Sequence, residues 1–440
     1  MDKDTEITGE ILKEFIEQHE MQKLRYLELY NQYLSRPPIL DEPPKEEAWK
    51  PDNRLVGNFG KYLVDTFNGF FNGIPMRPSH DNDSVDEIIQ DFWNVNNMDN
   101  TMNELAKSTS IYGRAYLFLF QNEESKTEVA YNDPLDMFVI YSDEIRPHSL
   151  YGVRYTLDED SYKGQLFTDT EAYNFTLDGD SLSMADSSTF KDGFVPYGRV
   201  PIIEFVENEE RQSLIEPVET LINGFNNVLS EKNNDVSYFS DAYLSILGAL
   251  LDDDSIRNLK DNRIINLAGD NAEKVTVEFL EKPDADQTQE NFLDRTERLI
   301  YQLSQVANID DTTFGTAGNS SGVALEFKLQ PMKNLASNKE RKFQQGLQTL
   351  FSMVFNVVTN VPGNLSDEYR NIQYNWSRNL PANNEAEMQV VRGLDGIVSH
   401  RTQLDMLSAV SDSQRELELI EEESAPLPQY DFEKSGNDDD

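Results

Sequence analysis

The sequence predicts an α+β chain in which helices flank a β-rich middle and one helix is too long for a compact core. Three observations carry that expectation. Apolar residues recur at three-and-four spacing over residues 6–110 and again beyond 213, the period of amphipathic helices. Between 111 and 206 the period falls to two, in short runs separated by Gly, Asp, Asn and Pro. Residues 288–360 then read as a helix, a polar glycine-bearing loop, and a helix of about 40 residues, about 60 Å long. A helix of that length needs cover from outside its own domain, which suggests a wall element in an assembly.

In chain order, residues 6–34 form one amphipathic helix through Ile7, Ile11, Leu12, Phe15, Ile16, Leu24, Leu27 and Tyr30, stopped by Pro37 and Pro38. Residues 35–51 hold five prolines among charges and predict an extended arm, with no role that follows from its sequence. Helical spacing returns over 54–71 with Leu55, Phe59, Leu63, Val64 and Phe67, closed by Asn72 and Gly73. Two more helices are expected at 85–93, capped by Asp83 or Ser84, and at 98–110. Short strands follow at 115–120, 129–131, 137–141, 152–155, 164–167, 172–175 and 202–206, with turns that favour antiparallel pairing.

Residues 213–245 predict a long helix with a stripe of Leu214, Val218, Leu221, Ile222, Phe225, Val228 and Leu229. Ser213 with Glu216 reads as a capping box, and Pro217 sits in the first turn, where its missing donor is tolerated. An acidic turn, Asp252 to Asp254, and strands at 263–267 and 274–280 form a small α/β knob. The next helix carries Phe292, Thr296, Leu299, Ile300, Leu303 and Val306 on one stripe. The polar loop that follows cannot bury itself, and Phe314 is its large apolar side chain. The long helix is capped by Ser320 or Ser321 and runs through Ala324, Leu325, Phe327, Phe343, Leu347, Leu350, Phe351, Val354 and Val358, with a kink expected at Pro331. A strand at 372–376, helices at 385–393, 402–407 and 413–423, and a polar, disordered tail complete the chain, without internal repeats.

With 440 residues and 38% hydrophobic content, two to four folded domains are expected. The chain has 80 acidic and 38 basic residues, a formal net charge of −42. Such a surface repels phosphates and anionic membranes, which excludes tight nonspecific DNA binding while leaving a non-sticking passage possible. The absence of cysteine excludes disulfides, thiolate metal sites and a thiol nucleophile. No apolar run reaches the roughly 20 residues of a membrane span, and the acidic start is unlike a signal peptide, so a soluble protein made in the cytoplasm is expected.

Catalytic and cofactor signatures are wanting. No glycine-rich loop ends in the lysine that a nucleotide-binding P-loop needs. His19, His80, His148 and His400 stand apart, without metal-ligand spacing. Gly318, Ser320 and Gly322 match the letters of a nucleophile elbow, but a helix and polar loop precede them where that motif needs a strand, so a helix cap is the better reading. The acidic turns at Asp252 to Asp254 and at Asp81 to Asp83 lack the glycine and terminal glutamate of a calcium loop and read as solvated turns. No enzyme, cofactor or metal is expected.

The order of elements resembles the portal proteins of tailed bacteriophages, in particular those of phages with long noncontractile tails. The likeness covers roughly residues 25–425 and is carried by several stretches. These are Asn53 to Pro75, Asp133 to Tyr141 with Gly152 to Tyr155, Val200 to Phe205, Glu216 to Ile222 on to Tyr243, and Gly318 to Leu325. The resemblance implies a homo-oligomeric ring, usually a dodecamer, at one capsid vertex of the virion, made in the host cytoplasm. Double-stranded DNA would pass through it in packaging and ejection. It further implies docking of the terminase large subunit and of head-completion or adaptor proteins, with capsid and scaffolding proteins as neighbours and no membrane.

By position, the resemblance makes 1–212 a wing, 213–247 and 284–308 stem helices, 248–283 a clip, and 309–319 a tunnel loop. Residues 320–364 become the long kinked helix, 365–425 a helical crown, and 426–440 a disordered acidic tail. The tunnel loop would present Asp310, Asp311, Thr312, Thr313, Phe314, Thr316 and Asn319 to DNA, a set with no base-reading pattern. The clip would present Asp252, Asp253, Asp254, Lys260 and Arg263 to its partners. Lys328, Lys333 and Arg341, with Lys339 and Lys342, form a basic exception on the long helix that either faces phosphate or pairs with acids of a neighbouring subunit. Two other classes stay open. A different acidic ring or scaffold of the virion has no need of the glycine loop, and a magnesium-dependent nuclease requires spaced carboxylates on a mixed sheet.

Overall fold

The computed structural model describes residues 1, 2, 4–46, 51–187, 189–239, 244–247, 276–279, 286–309, 322–378, 384–407, 410 and 413–424. Helix α1, Gly9–Tyr33, starts where the Thr8 hydroxyl accepts the Ile11 N–H. Its buried face is Leu12, Ile16, His19, Tyr26 and Leu29, while Leu24 and Leu27 point outward, against expectation. The reason lies in its neighbours: Leu12 and Ile16 meet Phe138, Val153 and Tyr155, whereas Tyr26 and Leu29 join the main core.

The described part of the proline arm is not loose. Its residues Pro38–Leu40 make a 3-10 turn with Ile39 buried. Helix α2, Phe59–Asn72, is capped by Asn58, so Leu55 falls outside it. Strand β1, Arg77–Ser79, leads to α3, Asp83–Val95, whose cap is Asn82, not Asp83 or Ser84. Helix α4, Met98–Tyr112, ends at Gly113, which adopts φ 86°; a Cβ there would sit 2.0 Å from the Arg211 carbonyl oxygen.

Two antiparallel sheets follow. In one, β2 (Arg114–Gln121) is flanked by β3 (Thr127–Asn132) and β9 (Ile202–Val206). The other is a meander of β4 (Met137–Tyr141), β5 (Ser149–Asp158), β6 (Ser161–Phe167), β7 (Ala172–Asp178) and β8 (Ser181–Asp186) in sequence order. Strand β8 was not expected; it is exposed along most of its length, so no alternation marks it.

Helix α5, Glu219–Phe239, follows a 3-10 turn at Glu216–Val218. The expected cap is present: the Glu216 carboxylate accepts the Ser213 N–H at 2.6 Å and the Ser213 hydroxyl accepts the Ile215 N–H at 3.0 Å. The helix stops earlier than its expected end at 245, because Leu244–Leu247 is a strand, β10, paired with β11 at Thr276–Phe279. Helix α6, Asp286–Ser304, packs along α5, buries Leu293, Thr296 and Ile300, and leaves Phe292 and Leu303 about half exposed, which corrects the expected stripe.

Helix α7, Gly322–Asn356, contains Pro331 without being ended by it. It buries Leu329, Met332, Ala336, Lys339, Phe343, Leu347, Leu350, Phe351 and Val354; Phe327, 75% exposed, and Val358, beyond its end, do not belong to that face. Strand β12, Gln373–Asn375, returns to pair with β1. Helices α8 (Asn384–Gly393), α9 (His400–Asp405, capped by Ser399) and α10 (Ser413–Ser424) complete the described chain. One large core joins α2, α3, α4, the three-stranded sheet and α7 around Phe67, Phe71, Trp93, Phe205, Phe343 and Phe351. The strand expected at 263–267, the serine caps of α7 and the acidic tail lie outside the described residues.

Candidate channel-lining elements

The candidate tunnel-loop residues Asp310, Asp311, Thr312, Thr313, Phe314, Thr316 and Asn319 lie outside the described residues, as do the clip residues Asp252, Asp253, Asp254, Lys260 and Arg263. In chain order the clip residues fall between α5 and α6, and the loop residues between α6 and α7. Of the basic residues on α7, Lys328 and Arg341 are exposed and Lys333 is half-buried. With about 100° between successive helical residues, these three do not share one stripe. Lys342 pairs with Glu209 and is not available to phosphate.

Lys339 is a plain correction. It is fully buried in the main core, where its ammonium lies 2.6 Å from the Glu207 carboxylate, just after β9. It also donates to the Ala106 carbonyl at 2.7 Å and the Ser110 hydroxyl at 2.8 Å on α4. Burial pushes the Lys339 pKa down, against the pull of Glu207. The group therefore ties α7 to α4 and to the end of the three-stranded sheet.

A second anchor lies beside it. Glu204 on β9 takes a two-pronged contact from Arg211 at 2.9 Å, a contact from Arg114 at 3.3 Å, and the Tyr141 hydroxyl at 2.8 Å. Burial alone raises its pKa, but the two guanidinium groups outweigh that and hold the carboxyl below its ordinary value. Arg25 of α1 clasps Glu216 at 2.5 Å and the Arg211 carbonyl at 3.0 Å, which fixes α1 to the start of α5.

The stretch that follows the arm, residues 53–57, is strapped to α5 by a ladder the sequence reading missed. The N–H groups of Asn53, Leu55 and Gly57 donate to Asn234, Ser230 and Asn226 at 2.7, 2.9 and 2.8 Å. Four helical residues advance about 6.0 Å and two extended residues about 6.6 Å, so positions four apart on α5 match alternate amides of the strap. The detectable signal was three small polar residues at four-residue spacing. Arg54 then reaches the carbonyls of Ile39, Leu40, Glu42 and Pro43 at 2.5–3.3 Å and folds the arm on itself.

Three of the four histidines have structural partners, and the fourth, His400, is exposed at the start of α9. His19 is buried between the Tyr155 hydroxyl at 2.7 Å and the Pro134 carbonyl at 2.8 Å. His80 lies 3.4 Å from Glu368, and His148 contacts Ser142 and Glu144. Asn82, between Asp81 and Asp83, caps α3. Among the described residues no group of His, Asp and Glu is arranged to hold a metal ion, and no helix is long and apolar enough to cross a membrane.

Comparison with known proteins follows the same line. The profile of phage portal proteins of the SPP1 Gp6-like kind matches residues 12–426. The portal protein of Bacillus phage SPP1 is 27% identical over 413 residues, covering 88% of this chain and 78% of that protein. The portal protein of Clostridium phage phiCD119 is 24% identical over 387 residues, 81% of each chain. Among solved structures, a chain from the neck of an empty GTA particle, computed with C6 symmetry, aligns over 87% of this chain and 93% of its own at 11% identity and a TM-score of 0.45. Because the family profile runs through α1 to α10 and takes in every anchor described above, the chain belongs to the SPP1 Gp6-like family of phage portal proteins.

Proposed function

We propose that the chain is the protomer of a noncatalytic ring, a dodecamer, at one capsid vertex, through which double-stranded DNA is packaged and ejected. The family match over residues 12–426 carries this reading. Residues 1–212 serve as the wing, α5 and α6 as the stem, 248–283 as the clip, 309–319 as the tunnel loop, α7 as the long helix behind it, and 365–425 as the crown. The clip, with Asp252, Asp253, Asp254, Lys260 and Arg263, docks the terminase large subunit and later the head-completion protein. Capsid and scaffolding proteins meet the outer surface. The loop residues Asp310 to Thr316 and Asn319 touch passing DNA weakly and without sequence preference, because the acidic chain releases few counterions from the phosphates. Lys328, Lys333 and Arg341 are its candidates for phosphate contact.

The amphipathic stem supports this reading. Phe292 and Leu303 on α6 are exposed in the single chain, and a ring supplies neighbours to cover them. The experiment is native mass together with negative-stain imaging of the purified chain. Closed rings with an axial hole, near 600 kDa for twelve chains of 50.5 kDa, are expected; a compact monomer with metal-dependent cleavage of plasmid DNA would overturn the reading. Deleting Thr312 to Thr316 should leave rings intact while impairing packaging or retention of DNA; loss of the ring would make the loop a structural joint instead.

A further inference from the structure

The five-stranded sheet has two unlike ends. At one end a cleft of about 310 Å³ opens between the β4–β5 loop and α7, lined by His148, Arg199, Arg211 and Lys342 together with the carboxylates of Glu204 and Glu209, over a floor that includes Ile202. Arg211 and Lys342 are matched by Glu204 and Glu209, but Arg199 is exposed and has no carboxylate partner among the described residues. Ile145, in the loop leading to the cleft, is fully exposed. At the other end the β5–β6 turn projects Leu157, 62% exposed, beside Glu159 and Asp160, which are exposed and without a basic partner among the described residues. Neighbouring Asp158 is already paired with Lys163.

In a chain of net charge −42, most pairs of surfaces repel one another, so a cleft with an uncompensated guanidinium is a selective place for an acidic partner. The same chain offers that partner in an aliphatic and acidic knob of fitting chemistry. The two cannot meet within one subunit, because β5 spans Ser149–Asp158 and holds them about 30 Å apart. Complementary patches on opposite ends of one rigid element define a head-to-tail contact, the kind that closes rings. We propose that Leu157, Glu159 and Asp160 of one subunit dock at Arg199 in this cleft of the next. The proposal rests on the ring reading and adds to it where adjacent wings touch.

The chain has no cysteine, which makes the test clean. A full-length Glu159→Cys, Arg199→Cys double variant is oxidised and run on a denaturing gel. A disulfide needs Cα atoms within about 7 Å, so any bond formed here joins two copies. A ladder of multiples in the double variant, absent from each single variant, is expected. In parallel, Glu159→Lys and Arg199→Glu should each raise the concentration for half-assembly about tenfold at low salt, and the double reversal should restore most of it. Rings by native mass without a crosslink ladder, or without rescue, overturn the contact while leaving the ring reading intact. A wild-type chain that forms no ring overturns both.

Discussion

The Lys339 ammonium lies 2.6 Å from the Glu207 carboxylate, with side-chain exposures of 0% and 2%. Two charges so deep lose their hydration and are tolerated only because each gains further partners. Lys339 has the Ala106 carbonyl, the Ser110 hydroxyl and the faces of Phe67, Phe71 and Phe343, at 5.2–5.5 Å from the ring centres. Glu207 also accepts from the Ser110 hydroxyl at 3.2 Å. The pair thus sets the depth and rotation of α7 against the rest of the core.

Removing one partner should be worse than removing both. Lys339→Met leaves a buried carboxylate alone and should cost about 3–5 kcal/mol in urea unfolding, while Lys339→Met with Glu207→Leu should cost clearly less. Equal losses in the single and double variants would show that the ammonium contributes through packing alone.

Lys339 also shows where sequence reading stops. The period of α7 was legible from Phe343, Leu347, Leu350 and Val354, and Lys339, four residues before Phe343, falls on that stripe; a lysine letter normally marks a surface, and it was the letter, not the spacing, that misled. Helix faces failed for the opposite reason. Leu24, Leu27, Phe292 and Leu303 are apolar, so they were counted toward the core, although the single chain exposes them. The strand at 372–376 was legible, but its partner was not: β1 has three residues and no readable period, and its pairing with β12 joins residues almost 300 positions apart, as the bond from Asn375 to Ser79 shows. The strands at 137–141 and 202–206 were readable to the residue, because alternation and turn residues bound them on both sides.

Gly346 faces the Phe205 ring so closely that an added Cβ would lie 2.6 Å from its nearest carbon. Both groups are core elements, so neither can move far without opening the contact between α7 and β9. Gly346→Ala should cost about 1–3 kcal/mol in thermal or urea unfolding, despite alanine's better helix propensity. A neutral or stabilising outcome would mean that the sheet gives way at this point.

His19 links stability to pH. Burial, opposed by the bond to the Pro134 carbonyl, pushes its pKa from the ordinary 6.5 down to about 4. The unfolded chain therefore takes up a proton between pH 6.5 and 4 that the folded chain refuses, and stability from this site falls as pH drops through that window. The full loss is about 3 kcal/mol. Comparing unfolding of the wild type and His19→Gln at pH 7 and pH 4.5 should show a smaller acid loss in the variant; parallel curves would place the acid sensitivity elsewhere.

The strap on α5 makes a prediction with residue resolution. Only alternate amides, those of Asn53, Leu55 and Gly57, are held by the ladder of Asn234, Ser230 and Asn226. Hydrogen exchange should therefore be slow at these three and fast at Arg54 and Val56, a two-residue rhythm without a second strand. Asn226→Ala leaves the Gly57 amide without its partner and should cost about 1–3 kcal/mol. Arg54→Lys keeps the charge but loses the fork that gathers four carbonyls, so it should open the peptide bonds at 39–43 to protease while leaving the core melt nearly unchanged. If instead the whole chain melts early in Arg54→Lys, the arm is part of the cooperative core and not a clasp laid over it.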